Sequence, residues 1–131
     1  MANKIVAINA YRPKLALLPT IELKELVDYI AGRTGLNKGE IQMVLSELSA
    51  AVQFFNKQGQ GVKLPGLGTY LPSIELNGTL SISHRTDKEI SNALNAPGAF
   101  RGEIVNRENI GKTADDLIAL WNKQHPDDPV S

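Results

Sequence analysis

The chain has no cysteine. Disulfides, a thiol nucleophile and cysteine-ligated zinc are therefore excluded. Histidine is scarce as well: His84 and His125 are the only two, and neither has a ligand-like partner in sequence. No apolar run approaches the roughly 18 residues that a membrane-spanning helix needs, so no transmembrane segment is expected. The N-terminal stretch lacks the continuous apolar core of a signal peptide, because Lys4, Arg12 and Lys14 interrupt it. It is expected to belong to the mature, cytoplasmic protein. An excess of charge is missing too: fourteen Lys and Arg balance fourteen Asp and Glu, which weakens any simple electrostatic argument for nucleic-acid binding.

What is present is an ordinary globular composition over 131 residues, enough for one domain with a real core. Charge is mildly polarised. The first twenty residues carry Lys4, Arg12 and Lys14 with no acid, whereas residues 113–131 set Lys123 against Asp115, Asp116, Asp127 and Asp128. Residues 1–19 read as an extended arm or edge strand, because Pro13 and Pro19 disfavour helix and "KIVAI" is strand-like. Thr20 is positioned to cap a helix in which Leu23, Leu26, Val27 and Ile30 fall at i, i+3, i+4 and i+7. Gly35 ends that helix in the left-handed region. Asn37, with Glu40 three residues on, starts a second helix of about five turns that runs to Gly59.

Strand signals follow. Val62 and Leu64 precede the glycine-rich "LPGLGTY", and "TYLPSIEL" leads to Asn77-Gly78, a hairpin signal for a type I′ turn, with "TLSISHR" returning. Pro72 lacks an N–H, so its strand should be an edge or carry a bulge. Beyond Arg85, "DKEISNALN" reads as a short helix, "PGAFRGEIVN" as a loop and strand, and "TADDLIALWNKQ" as a final helix started by Thr113 and Asp116. Residues 86–125 are expected to complete the same domain as 20–85, and 126–131 to form a solvated acidic tail.

Two helices, a strand, "VKLPGLGTY" and a hairpin resemble the HU/IHF family of bacterial histone-like DNA-binding proteins, whose motif is of the type V-x-L-x-G-F-G-T-F. The likeness runs from about Ile21 to Ile74. It implies an α+β fold: a helix-turn-helix hairpin plus a β-hairpin saddle, an intertwined homodimer, here with an N-terminal extension and an extra C-terminal strand and helix. The stripe Val44, Leu45, Leu48, Val52 and Phe55 would then form the dimer interface, with Leu67 and Tyr70 standing where the family usually has phenylalanines. The same stripe could instead pack inside a monomer against the C-terminal helix. Resemblance further implies a nucleoid-associated architectural protein without a cofactor, membrane contact or small-molecule substrate. In it, Gly66 and Gly68 would let a phosphate approach exposed N–H groups beside Thr69.

The chain departs from the family at the arm. An Arg-Asn-Pro tip is absent, and from Tyr70 to Thr86 only Glu75 and Arg85 carry formal charge. Counterion release should therefore be modest. Lys63, Arg85, Lys88, Arg101 and Arg107 are the candidate phosphate partners, with Lys4, Arg12 and Lys14 as a flexible basic extension; each alone is also an ordinary solvated charge. Two functions follow: low-specificity binding of double-stranded DNA, or an HU-like scaffold that has lost DNA binding and serves protein assembly. No catalytic constellation stands out. "NRENIGKT" (106–113) approaches a P-loop but has Asn106 at its required first glycine, so it reads as a turn and N-cap, at which a helix start could still receive a phosphate. Trp121 reads as core rather than a base-stacking platform.

Overall fold

The computed structural model describes residues 1–130. In chain order the elements are α1 (Lys4–Tyr11), β1 (Lys14–Ala16), α2 (Leu23–Thr34), α3 (Lys38–Lys57), β2 (Val62–Leu64), β3 (Gly68–Ile74), β4 (Leu80–Thr86), α4 (Lys88–Asn95), β5 (Glu103–Val105) and α5 (Ala114–Gln124), with a 3-10 turn at Arg107–Asn109. They fall into two compact units: Thr20–Phe100, and Met1–Pro19 together with Arg101 onward. The first is the helix-hairpin-and-sheet unit; the second joins the two ends of the chain.

In the helix-hairpin unit, α2 begins at Leu23 because the Glu25 carboxylate accepts the Glu22 N–H at 3.2 Å, so the cap lies two residues beyond the expected Thr20. Gly35 closes it at φ 75°, its N–H donating to the Ala31 carbonyl. Asn37 Oδ1 then takes the N–H groups of Gly39 (2.7 Å) and Glu40 (3.4 Å), orphan donors at the start of α3. Twenty residues make α3 about 30 Å long. Its exit is pinned by Asn56, whose Nδ2 donates to the Gln60 carbonyl (2.9 Å) and the Tyr70 carbonyl (3.3 Å) and so ties the helix to β3.

The three strands are antiparallel in the order β2-β3-β4. Because β2 pairs only with Gly68–Tyr70, β3 has a free edge from Leu71 on, and Pro72 sits there without costing a ladder bond on that side. The hairpin turn differs from the expected type I′. Glu75 accepts the Gly78 N–H (2.9 Å), placing Leu76 and Asn77 at the central positions, and Gly78 follows at φ 88° as the bulge residue. Asn77 does not take positive φ; its Oδ1 accepts the Thr79 N–H instead. The consequence is that Leu76, not Asn77, crowns the tip.

The terminal unit overturns three expectations. Lys4–Tyr11 is a helix rather than an extended arm, because Asn3 Oδ1 caps the Ile5 N–H (2.7 Å) and α1 packs on α5, a partner no local pattern announces. Residues 101–125 belong with this N-terminal segment and not with the helix-hairpin unit. The stretch 126–130 is folded back: Trp121 Nε1 donates to the Asp128 carbonyl (2.8 Å), the Val130 N–H to Asn122 Oδ1 (2.7 Å), and the Met1 ammonium meets Asp128 at 3.1 Å. Residue 131 lies outside the described residues. Trp121 stacks on His125 (3.6 Å, 10°) with Tyr11 edge-on, which fits the core reading. Asn106 takes the left-handed conformation (φ 59°) and its Nδ2 holds the carbonyls of Ala10 and Arg12, while buried Asn109 holds that of Tyr11. The near-P-loop is thus the buckle that joins the two chain ends.

Gly68 is required by closeness rather than by turn geometry. A Cβ there would collide with the Arg85 carbonyl and lie 2.6 Å from His84 Nε2. Gly68→Ala is expected to lower stability by about 1–3 kcal/mol, the usual range for overpacking, seen as a reduced urea midpoint.

Candidate nucleic-acid interface

Register decides which side chains share a face. Lys63 pairs with Thr69 and Thr69 with Arg85, so the three form one row across the sheet on a single face, its outer members about 9–10 Å apart. Lys63 and Arg85 are exposed, and among the described residues neither has an ion-pair partner. Further along this face lie Ser83, Ser73 and Ser81: Ser73 and Ser81 share a hydroxyl hydrogen bond at 2.9 Å, and Ser83 donates to the Leu71 carbonyl. The face combines two free cations with a row of neutral hydroxyls that bond to one another and to the strand backbone. Lys88, also exposed, opens α4 just beyond Arg85.

The glycine turn does not behave as expected. The Gly66 N–H is already donated to the Asp87 carboxylate at 2.9 Å, and the Leu67 N–H to the Leu64 carbonyl. Glu89 Oε2 lies 3.7 Å from where a Gly66 Cβ would be. With its donors occupied and two carboxylates beside it, the turn does not offer a phosphate cradle. Gly66 (φ 82°) and buried Gly68 serve the fold, and Thr69 alone of this trio stands among the cations. The missed residue is Asp87. It precedes α4 without a side-chain cap bond to it and instead latches the glycine turn 21 residues away, a use with no local signal.

The other basic candidates lie in the terminal unit. Lys4 starts α1; Arg12 Nε donates to Asn9 Oδ1 (2.8 Å) and Lys14 Nζ to the Asn9 carbonyl (3.1 Å), so these residues are anchored rather than a flexible extension. Arg101 and Arg107 are exposed in the same unit. At the start of α5 the Thr113 N–H is taken by Asp116, and Asp115 adds a second carboxylate, which makes that helix end unfavourable for a phosphate.

On the opposite face of the sheet, Leu64 and Tyr70 border a groove with Leu45, Leu48 and Val52 of α3. Val44 and Phe55 of the expected stripe, and Leu67, are exposed, as are Leu23, Leu26, Met43 and Phe54. Only Val27 and Ile41 among the large apolar side chains of this unit are buried, at 5% and 6% exposure. No group of acidic, histidine or cysteine side chains suited to hold a metal occurs among the described residues, and no helix there is long and apolar enough to cross a membrane.

A helix hairpin whose second helix backs a short antiparallel sheet, with a glycine turn at the sheet's entrance and an arm beyond it, is the architecture of an HU-type protein. A family model described as an HU domain fused to a winged helix-turn-helix, Ig or glycine-rich motif matches residues 7–94, and the chain belongs to that family. The match takes in all of α4 but its last residue and ends before Arg101, so the C-terminal part of the terminal unit lies outside it. Among solved structures, an HU mutant from Thermotoga maritima is similar at 17% identity over 55% of this chain and 96% of that one, with a TM-score of 0.48. No curated protein matches.

Removing the latch should loosen the turn. Asp87→Ala leaves the half-buried Gly66 N–H without an acceptor and is expected to cost about 1–3 kcal/mol in urea unfolding, whereas Asp87→Asn, which keeps an acceptor oxygen, should retain most of it.

Proposed function

We propose that the chain is an architectural protein that binds double-stranded DNA as a homodimer, with little sequence preference, through contacts to the phosphate backbone. The observation that carries this is the Lys63–Thr69–Arg85 row, two unpaired cations on the hydroxyl-bearing face of the sheet. Lys88, at the start of α4, adds a further exposed cation, and Arg101, Arg107, Lys4, Arg12 and Lys14 are proposed as auxiliary charge. Membership of the HU family supports the same conclusion, along with a bacterial, cytoplasmic and nucleoid-associated setting and a role without catalysis.

Surface area supports the second copy. The chain exposes 10402 Å². A compact body of its mass would expose about 6,800 Å², and even two separate bodies of about 50 and 80 residues would together expose roughly 8,000 Å². An excess of about 2,000 Å² per chain is the scale of a permanent interface, which buries roughly 2,000–5,000 Å² in total. The apolar stripe of α3, with Leu67 and Tyr70, is the natural place for it.

A second reading, an HU-like scaffold for protein assembly without DNA binding, is favoured by one observation: the arm carries a single acid and a single base and exposes Leu76 fully at its tip. Titration of a labelled duplex of about 30 base pairs by fluorescence anisotropy separates the two. Saturable binding is expected, weakening with salt at a log–log slope of about 4 if Lys63 and Arg85 of both copies contact phosphates. Lys63→Ala with Arg85→Ala should flatten most of that slope. No binding at low salt would instead leave the scaffold reading.

A further inference from the structure

The terminal unit carries an uncovered surface of its own. In its two-stranded sheet, register pairs Leu15 with Ile104, and Leu17, two residues on, continues the same face. With Ile110 they floor a groove of about 540 Å³ that follows β1, since five of its seven lining residues lie between Arg12 and Leu17. The floor is bare: Leu15, Leu17 and Ile110 are 49%, 83% and 58% exposed.

Charge and backbone say what would cover it. Arg12 and Lys14 line the groove, and both are tethered to Asn9, Arg12 by Nε to Oδ1 (2.8 Å) and Lys14 by Nζ to the carbonyl (3.1 Å). Among the described residues neither cation has an ion-pair partner, and no acid lines the groove. The Arg12 Nη groups are therefore left to an outside acceptor. The strand itself is open as well: β1 pairs with β5 on one side only, and no turn or loop backbone hydrogen bond engages residues 13–18. An unpaired strand edge is a template for one more strand.

The geometry points to this groove as the docking site for an extended segment of another protein, one that alternates apolar side chains with an Asp or Glu. Its backbone adds alongside β1, its apolar side chains cover Leu15, Leu17 and Ile110, and its carboxylate meets Arg12 and Lys14. Three other occupants fit worse. A second copy bringing the same groove across a two-fold contact would set cations against cations with no acid between them. A DNA backbone would satisfy the cations and leave the leucines wet. A bilayer surface would cover the leucines but leave the N–H and C=O groups of the strand edge without partners. The docking site needs neither the homodimer nor DNA binding at the Lys63–Arg85 row, and it gives Arg12 and Lys14 a use beyond auxiliary charge.

The test selects a random heptapeptide library displayed on phage against the full chain, then titrates the labelled consensus peptide by fluorescence anisotropy. Enriched peptides are expected to alternate apolar residues with at least one Asp or Glu. Leu17→Asp, at a position exposed enough to leave the melting temperature unchanged, should weaken the peptide at least ten-fold. Lys14→Glu should reverse the charge preference, so that the peptide with Lys in place of its acid binds that variant better than the original does. A selection that enriches nothing, enriched peptides without an acid, or binding indifferent to Leu17→Asp overturns the docking site. So does Leu17-dependent binding to phosphatidylglycerol vesicles that exceeds binding to the peptide, which assigns the groove to a membrane surface. Loss of a sedimenting dimer in Leu17→Asp overturns it too, and assigns the groove to a second copy.

Discussion

Everything in the helix-hairpin unit depends on a shortage of depth. Two helices crossing a three-stranded sheet, two of whose strands are no longer than seven residues and the third only three, cannot surround their own apolar side chains. The long helix α3 meets β2 and β3 along one side only, which is why Leu48 and Phe55 remain partly exposed and Val44 more so. Each buried apolar square ångström contributes about 25 cal/mol, so covering a few hundred square ångströms of exposed apolar surface would match the net stability of an ordinary domain of about 5–15 kcal/mol. The second copy proposed above would complete this core.

Polar side chains do the joining that apolar packing does not. Asn56 ties α3 to β3, Asp87 ties the glycine turn to α4, and Asn106 with Asn109 ties the two ends of the chain together. Each uses one side chain to satisfy backbone groups that would otherwise be unpaired at an element's end. The glycine turn shows the division between fold and function most clearly. Its composition suits close approach of a ligand, yet the approaching groups are the Arg85 carbonyl, His84 and Asp87 of the same chain.

How much of this the sequence disclosed follows the range of the interactions. Gly35, Asn37 and the Thr113–Asp116 box act within four residues and were legible as such. The helical stripe of α3 and the strand alternation set the register that brings Lys63, Thr69 and Arg85 into one row. By contrast, "KIVAI" is β-branched and gives no local sign of helix; it becomes α1 because α5, more than a hundred residues away, packs on it. The Asn77-Gly78 pair suggested the right hairpin and the wrong turn, since Gly78 alone takes positive φ. The acidic tail looked solvated because its partners, Trp121, Asn122 and the chain's own first residues, are set by the tertiary fold.

Zero net charge does not decide between DNA and protein as the arm's partner, because it averages over faces that point in opposite directions. What matters is where the few unpaired charges lie and what surrounds them. Lys63 and Arg85 stand at the root of the arm on its hydroxyl face, so a phosphate backbone laid there would meet cations at the root and a neutral surface beyond. Toward the tip, Glu75 and the bare Leu76 offer DNA nothing that counterion release could reward. An arm built to grip a polyanion along its length would place cations outward from the root. This one places its apolar pairs there, and a contiguous exposed apolar patch is the mark of an interaction surface other than a polyanion's.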